Sequence, residues 1–205
     1  MKFVAYVWCL FISLGLADLE VENFGPIINC QSPERTLIIY LSRTNNTKAV
    51  AEMIQKEVGG DLVAVELENP YPEDYDAIVK QVAEENVSGF LPPLKTKVDM
   101  ARYDTIFFGF PTWGMQLPPP MKSFLTEHDL EGKTLIPFNT NAGYGLGSSL
   151  KTIRELSSNS EILEAFSVKG GVERDGILFV MEGKRRVEVR QAVQKWLERI
   201  HVIKD

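Results

Sequence analysis

Short polar side chains fill the loop that follows the first apolar segment of the domain. The run Leu37–Leu41 is followed by six residues, five of them short and polar, and then by a helical pattern: Ser42, Arg43, Thr44, Asn45, Asn46 and Thr47. Neutral hydroxyls beside the unpaired N–H groups of a helix start can hold a phosphate. An ordinary N-cap by Asn46 or Thr47 would explain the same residues. The loop lacks GxxxxGK[ST], which favours a phosphate that is held and not transferred.

A second loop, after the apolar segment "DTIFFGF", contains an aromatic side chain at a strand end. It comprises Pro111, Thr112, Trp113, Gly114 and Met115. Trp113 could form a wall for a flat ring by stacking, and the neighbouring glycine permits unusual backbone conformations. The alternative interpretation is that Trp113 covers the core.

A third loop, after "TLIPFN", combines glycines with a tyrosine. Its candidate binding residues are Thr140, Asn141, Ala142, Gly143, Tyr144, Gly145 and Gly147. The glycines can bring backbone amides close to a ligand, while Tyr144 offers a second aromatic face. The GxGxG spacing is not interpreted as a dinucleotide fingerprint, because Ser148 stands where the third glycine is required and the unit lies late in the chain.

These loops are positioned by alternating strands and helices. Apolar runs predict strands at Thr36–Leu41, Leu62–Leu67, Thr105–Phe110, Thr134–Asn139 and within Ile162–Val168. Helical patterns occupy Thr47–Val58, Tyr75–Asn86, Pro118–Thr126, Ser149–Leu156 and Val187–Ile200. This alternation predicts an α/β fold with a parallel sheet covered on both faces. Ligands of such sheets bind at the carboxyl ends of the strands, where the three loops lie.

The order of these motifs resembles that of the flavodoxin-like family of FMN-binding proteins. The resemblance is carried by "SRTNNTKAVAEMI", "NPYPEDYDAIVKQVAEE", "FFGFPTWGMQLPPPMKSFL", "GKTLIPFNTNAGYGLGSSLKTIREL" and "VQKWLERI", over nearly all of Thr36–Ile200. It implies a three-layer, doubly wound, five-stranded parallel sheet of order 2-1-3-4-5. It also implies FMN as the cofactor, with its phosphate on Ser42–Thr47 and its isoalloxazine between the Trp113 and Tyr144 loops. A backbone group at or next to Gly114 would bond the flavin N5.

The resemblance implies redox chemistry carried by the flavin. The favoured hypothesis is an electron carrier cycling FMN between oxidised, semiquinone and hydroquinone states, with a redox protein or a small acceptor such as a quinone as partner. The alternative hypothesis is an NAD(P)H-dependent quinone oxidoreductase that uses FMN. A third hypothesis is a flavodoxin-fold binding module that has lost FMN. No protein nucleophile or general base is expected. No metal site is expected either, because His128 and His201 lack ligand residues at suitable spacing.

Composition narrows the class of partner. The chain has 205 residues, 44% of them hydrophobic, and 28 acids against 22 bases give a formal charge of −6 and a pI near 5.1. This balance argues against nucleic acid. Eight acids and one base lie in Asp61–Glu85. That region is either a docking face for a redox partner or an ordinary solvated surface.

The N-terminal segment resembles a secretory signal. Lys2 precedes an apolar run from Phe3 to Leu16, and small residues precede a cleavage point after Ala17. Residues 1–17 are therefore interpreted as a signal peptide of an exported protein, with an uncleaved membrane anchor or a packed extension as alternatives. Residues 18–35 are interpreted as a linker or extension and 36–205 as the domain. The long segment 170–186 predicts an extra strand or hairpin near the flavin edge.

Overall fold

The computed structural model of the chain describes residues 35–203. The predicted signal peptide and all but the last residue of the predicted extension lie outside the described residues. Within residues 35–203, no helix is both long and apolar enough to cross a membrane.

A parallel sheet forms the centre of the molecule. Its strands are β1 Thr36–Tyr40, β2 Asp61–Ala64, β3 Thr105–Pro111, β4 Thr134–Asn141, β5 Glu161–Ile162 and β6 Phe166–Lys169. The order is β2-β1-β3-β4-β5, and β6 also pairs with β4. All of these pairings are parallel. The predicted order 2-1-3-4-5 is confirmed.

Helices cover both faces of the sheet. The helices are α1 Asn46–Val58, α2 Tyr75–Ser88, α3 Pro119–Glu127, α4 Ser149–Leu156 and α5 Gly183–Arg199. Ile38 and Phe107 pack with α1 and α5 in one core cluster, whereas Leu37 and Phe108 pack with α3 and α4 in the other. Successive strand residues point to opposite faces, so a strand buried on both faces must be continuously apolar.

Most predicted boundaries agree with the structure to within two residues, but two differ by more. β2 ends at Ala64 instead of Leu67, which forms an isolated bridge with Leu94. α5 begins at Gly183, one turn before the predicted Val187. Neither difference moves a predicted site loop.

The predicted fifth strand is broken in two. β5 pairs with Thr134–Leu135 at the start of β4, and β6 pairs with Phe138–Asn141 at its end. Between them, the carbonyl of Glu164 accepts a hydrogen bond from the indole N–H of the buried Trp196 at 3.0 Å. The break therefore satisfies a buried indole of α5, and it keeps the end of β6 beside the end of β4.

The segment after β6 forms no strand, so of the two predicted alternatives, an extra strand or a hairpin, the strand is wrong. Glu173–Asp175 is a short 3-10 helix, and the turn around it is closed by one isolated bridge between Val172 and Ile177. The chain then crosses the start of α1, where the Asn46 side chain bonds the Leu178 carbonyl at 2.6 Å and the Val180 N–H at 3.1 Å. The segment thus lies against the predicted phosphate loop.

Candidate functional site

A cleft of about 450 Å³ lies at the carboxyl edge of the sheet. It is lined by residues of all three predicted loops: Arg43, Thr44, Asn46, Thr47, Pro111, Thr112, Trp113, Gly114, Thr140, Asn141 and Ala142. The other predicted site residues do not line it: Ser42, Asn45, Met115, Gly143, Tyr144, Gly145 and Gly147. Its size is within the range of about 300–1,000 Å³ typical of small-molecule sites.

Among the described residues of the first loop, Ser42 bonds the start of α1: its Oγ accepts from the Lys48 N–H at 3.3 Å. Asn45 occupies the cap position with a left-handed backbone (φ 61°) and makes no cap hydrogen bond. The alternative prediction, that Asn46 or Thr47 caps α1, is therefore wrong. The Asn46 side chain instead bonds Thr44 and the 178–180 segment, and Thr47 Oγ1 lies 2.8 Å from Thr140 Oγ1. The first turn can thus offer backbone N–H groups to an anion, beside threonine hydroxyls.

Arg43 joins three segments around this loop. Its Nε donates to Glu173 Oε1 at 2.6 Å, its Nη1 donates to the Pro72 carbonyl at 2.8 Å, and its Nη2 donates to the Glu73 carbonyl. Both side chains of the Arg43–Glu173 pair are about one-fifth exposed. The guanidinium is thus already engaged by protein groups.

Three cleft residues that sequence reasoning missed follow β6: Gly170, Gly171 and Glu173. A Cβ at Gly170 would lie 3.2 Å from Asn46 Cβ and 3.4 Å from Thr140 Cβ, so this part of the floor is closely packed backbone. A Cβ at Gly171 would lie 2.3 Å from the Leu178 carbonyl oxygen. The sequence does contain a signal for these cleft residues: a pair of glycines directly follows a strand, at the carboxyl edge of the sheet.

The second loop turns sharply after Trp113. Gly114 (φ 55°) and Met115 (φ 62°) both have left-handed backbones, and the turn is closed by Gln116 N–H donating to the Trp113 carbonyl at 3.0 Å. Trp113 is half-buried: it packs against the core and also lines the cleft. Both interpretations of Trp113 therefore describe part of its environment.

A partly buried polar pair packs against Trp113. The Tyr71 ring meets the Trp113 ring edge-on, with centroids 5.6 Å apart and planes at 81°. Tyr71 Oη donates to Glu85 Oε2 at 2.5 Å, and Gln81 Nε2 donates to Glu85 Oε1 at 2.9 Å. Burial, then the bond to the Glu85 carboxylate, raises the pKa of Tyr71 well above its usual range. Tyr71 therefore remains a neutral donor at physiological pH.

The third loop is tied to the second. Asn141 Oδ1 accepts from the N–H groups of Gly143 at 2.8 Å and Gly145 at 3.1 Å. Thr112 Oγ1 donates to the Gly145 carbonyl at 2.7 Å. These glycine amides are bonded within the loop, so a ligand contact through them stays a prediction. Tyr144 is 65% exposed, and stacking by its ring likewise stays a prediction.

One wall of the cleft comes from α2, which sequence reasoning did not include. Its lining residues are mostly apolar: Tyr75, Ile78, Val79, Val82, Ala83, Asn86 and Val87. Ile78 and Val82 are each 5% exposed, yet within residues 35–203 they belong to neither core cluster. The cleft therefore has a polar floor at the strand ends and an apolar wall on α2.

No group of three or more potential metal ligands occurs within the described part of the chain. The cleft instead offers hydroxyls, amides, an aromatic ring and apolar side chains. This set suits an organic ligand with a phosphate and a flat ring.

The fold and this cleft define a flavodoxin-like α/β protein, and sequence comparison agrees. The flavodoxin family profile matches residues 35–183. The chain belongs to the flavodoxin family. No curated protein matches it.

Solved structures share this architecture. A protein of Bacteroides eggerthii classed as a flavoprotein is 26% identical, with a TM-score of 0.66 over 82% of this chain and 99% of its own. A Bacteroides uniformis protein classed likewise is 24% identical, with a TM-score of 0.65 over 80% of this chain and 97% of its own. A Lactobacillus acidophilus flavoprotein in complex with FMN is 22% identical, with a TM-score of 0.59 over 65% of this chain and 93% of its own.

Proposed function

We propose that the chain is an FMN-binding redox protein that accepts electrons from one partner and delivers them to another. The observation that carries this proposal is the cleft that unites the start of α1, the Trp113 ring and the end of β4. The FMN complex of the Lactobacillus acidophilus flavoprotein supports the choice of cofactor. FMN supplies the redox chemistry when bound, and the chain's residues hold and orient it.

The residues of the cleft fit FMN in type and placement. The Thr44 hydroxyl and the N–H groups of the first turn of α1 would hold the phosphate. The buried Thr47 hydroxyl, 2.8 Å from Thr140 Oγ1, joins this loop to the end of β4. The Arg43 guanidinium is bonded to Glu173 and two carbonyls, so the phosphate site is built mainly of neutral donors. Such a site retains a phosphate without activating it for transfer. Trp113 would stack on the ring system and exclude water from one side of it.

The charge around the cleft favours a carrier over an NAD(P)H oxidoreductase. Glu73, Asp74 and Asp76 are exposed at the start of α2, beside the cleft wall. Asp61 and Glu66, in contrast, pair with Arg102 and Lys95. An anionic dinucleotide would be repelled by the exposed acids, whereas a basic docking partner would be attracted.

Equilibrium titration of the apoprotein with FMN tests the cofactor assignment. We expect one FMN per chain, with strong quenching of flavin fluorescence. Trp113→Ala should weaken binding by about 10-fold, because aromatic pairs contribute about 0.5–1.5 kcal/mol beyond their area. Tyr144→Ala should weaken it less, since Tyr144 is mostly exposed. Unchanged affinity in both variants would contradict the ring site.

Addition of NADH or NADPH to the FMN-loaded protein tests the carrier role. We expect no flavin reduction on the timescale of turnover. Rapid bleaching of the flavin absorbance by either nucleotide would instead support the oxidoreductase alternative.

A further inference from the structure

We propose that the segment between β6 and α5 docks the protein on an anionic phospholipid surface. The contact residues are the exposed apolar run Ile177–Phe179 and the basic first turn of α5. This inference goes beyond the proposed function, because docking needs no cofactor in the cleft. It concerns the part of the segment that follows the cleft residues Gly170, Gly171 and Glu173.

Three consecutive large apolar side chains are exposed in this segment. Ile177 is 49%, Leu178 53% and Phe179 38% exposed, the longest such run within residues 35–203. The next two residues behave differently, since Met181 is fully buried and Val180 packs against the same core cluster. The core thus uses only the second half of this apolar stretch. A contiguous apolar surface left in water is typical of an interaction site.

The backbone of the run is fixed against the start of α1. The Leu178 carbonyl accepts from Asn46 Nδ2 at 2.6 Å, and the Val180 N–H donates to Asn46 Oδ1 at 3.1 Å. The Ile177 N–H donates to the Val172 carbonyl at 3.1 Å. The exposed side chains therefore project from a backbone that the fold already holds, which lowers the entropy lost on binding.

Unpaired bases lie beside the run. Phe179 lines a shallow hollow of about 210 Å³ together with Lys48 and Arg186. Neither base forms an ion pair within the described residues, and Glu52 is the acid of this hollow. The whole chain has a formal charge of −6, so this is a local positive area on an acidic protein.

The first turn of α5 carries bases where a helix start favours acids. Lys184, Arg185 and Arg186 follow Gly183, and no acid lies in this turn. The helix dipole is positive at this end and disfavours cations there. Lys184 and Arg185 reach Glu188 only at 3.8 and 3.6 Å, in exposed ion pairs that contribute little. An external anionic surface would compensate bases that the helix itself disfavours.

The acids of the segment leave these bases in excess. Asp175 pairs with Arg174 at 3.0 Å, and Glu173 pairs with Arg43 at 2.6 Å. Glu182 is exposed at the cap position of α5 and forms no ion pair among residues 35–203. The three bases of the first turn thus outnumber the one free acid that precedes them.

The extent of this surface favours a lipid partner over a protein. A stable protein interface buries about 800 Å² and about 20–30 residues on each side. With Val187, which is 56% exposed on α5, this surface offers four exposed large apolar side chains. Interfacial binding to a membrane needs only a few apolar side chains at the headgroup boundary, beside bases that attract anionic lipid. We therefore assign the surface to phospholipid.

Docking through this surface would place the cleft beside the membrane. Gly171 and Glu173 line the cleft, and the apolar run begins at Ile177 of the same segment. A cofactor held in the cleft would then exchange electrons close to the lipid surface. This consequence alone rests on the proposed function.

Co-sedimentation of the full-length chain with lipid vesicles tests the docking surface. The probes are vesicles of phosphatidylcholine and vesicles of an equal mixture of phosphatidylcholine and phosphatidylglycerol. We expect tighter binding to the mixed vesicles, with and without FMN. The preference should disappear at high salt, because salt screens the attraction between the bases and the lipid phosphates.

Two matched pairs of substitutions locate the contact. Leu178→Ser removes an apolar side chain of the run, and Leu156→Ser removes one that is 40% exposed at the end of α4. Lys184→Gln removes a base at the start of α5, and Lys195→Gln removes an exposed base near its end. Leu178→Ser and Lys184→Gln should each weaken binding to the mixed vesicles by about fivefold. The other two variants should match the parent, and circular dichroism checks that all four are folded.

Three results would overturn the proposal. Equal binding to both vesicle types, unchanged in Leu178→Ser and Lys184→Gln, would assign membrane contact to another part of the chain, such as the apolar run Phe3–Leu16. Weaker binding in Lys184→Gln but not in Leu178→Ser, with displacement by soluble polyglutamate, would indicate an acidic protein partner. Absence of vesicle binding, with a dimer in light scattering that Leu178→Ser abolishes, would show that a second copy covers the run.

Discussion

Arg43 shows how one side chain in a binding loop can act through protein contacts. Sequence reasoning placed it among the cofactor-binding residues because it lies within Ser42–Thr47. The structure gives its guanidinium to Glu173 and to the Pro72 and Glu73 carbonyls, which are 130, 29 and 30 residues away in the chain. Such distant partners could not be identified from spacing alone. We interpret Arg43 as a residue that positions the loop.

Arg43→Gln and Glu173→Gln should therefore have similar effects. Each substitution removes one partner of a mostly buried ion pair. We expect each to lower the free energy of unfolding by about 1–3 kcal/mol, which lies between the losses measured for exposed and for fully buried ion pairs. The affinities for FMN and for riboflavin, which lacks the phosphate, should fall by the same factor. Loss of FMN affinity in Arg43→Gln with unchanged riboflavin affinity would show a direct phosphate contact.

The Tyr71–Glu85 bond predicts a pH-dependent contribution to stability. Because the folded pKa of Tyr71 is raised, the unfolded chain loses this proton first as the pH rises above about 10, and stability falls there. Tyr71→Phe should cost about 1–2 kcal/mol at pH 8. The difference should shrink at pH 11. Urea unfolding of both proteins measures it, and a difference that does not change with pH would contradict this account.

The Trp113 and Tyr144 loops behave as one element. Ser148 N–H donates to the Met115 carbonyl at 2.9 Å, and Thr112 Oγ1 donates to the Gly145 carbonyl. Sequence reasoning predicted both loops and their aromatic residues, because each follows an apolar strand. It attributed the glycines to ligand contact. The structure shows that Gly147 is required where the two loops touch, a contact that only the folded chain creates.

Gly147→Ala should disturb both loops, whereas Gly145→Ala should not. Both glycines have positive φ, 54° and 75°. A Cβ at Gly147 would lie 2.1 Å from the Met115 carbonyl oxygen, but a Cβ at Gly145 meets nothing within 4 Å. We expect Gly145→Ala to cost about 1 kcal/mol for its backbone conformation alone and Gly147→Ala to cost about 2–4 kcal/mol. Chemical denaturation compares them, and equal losses would refute the close contact.

The whole sheet was predictable to the extent that its strands are continuous apolar runs. The order 2-1-3-4-5 came from the family resemblance and is confirmed. The break between β5 and β6 was not predictable, because it depends on the Trp196 indole reaching the Glu164 carbonyl from α5. The α2 wall was missed for a related reason. Its apolar spacing is that of any helix packed on a core, and only the fold shows that it borders the cleft.

At the scale of the molecule, the proposed site of electron transfer is one cleft between the strand ends and α2. Anaerobic reductive titration of the FMN-loaded protein, followed by its absorbance spectrum, tests this claim most directly. We predict that one bound flavin per chain is reduced in two resolved one-electron steps and is reoxidised by an added acceptor. A protein that binds no flavin, or whose flavin accepts electrons only as a pair from NADH or NADPH, would contradict the account.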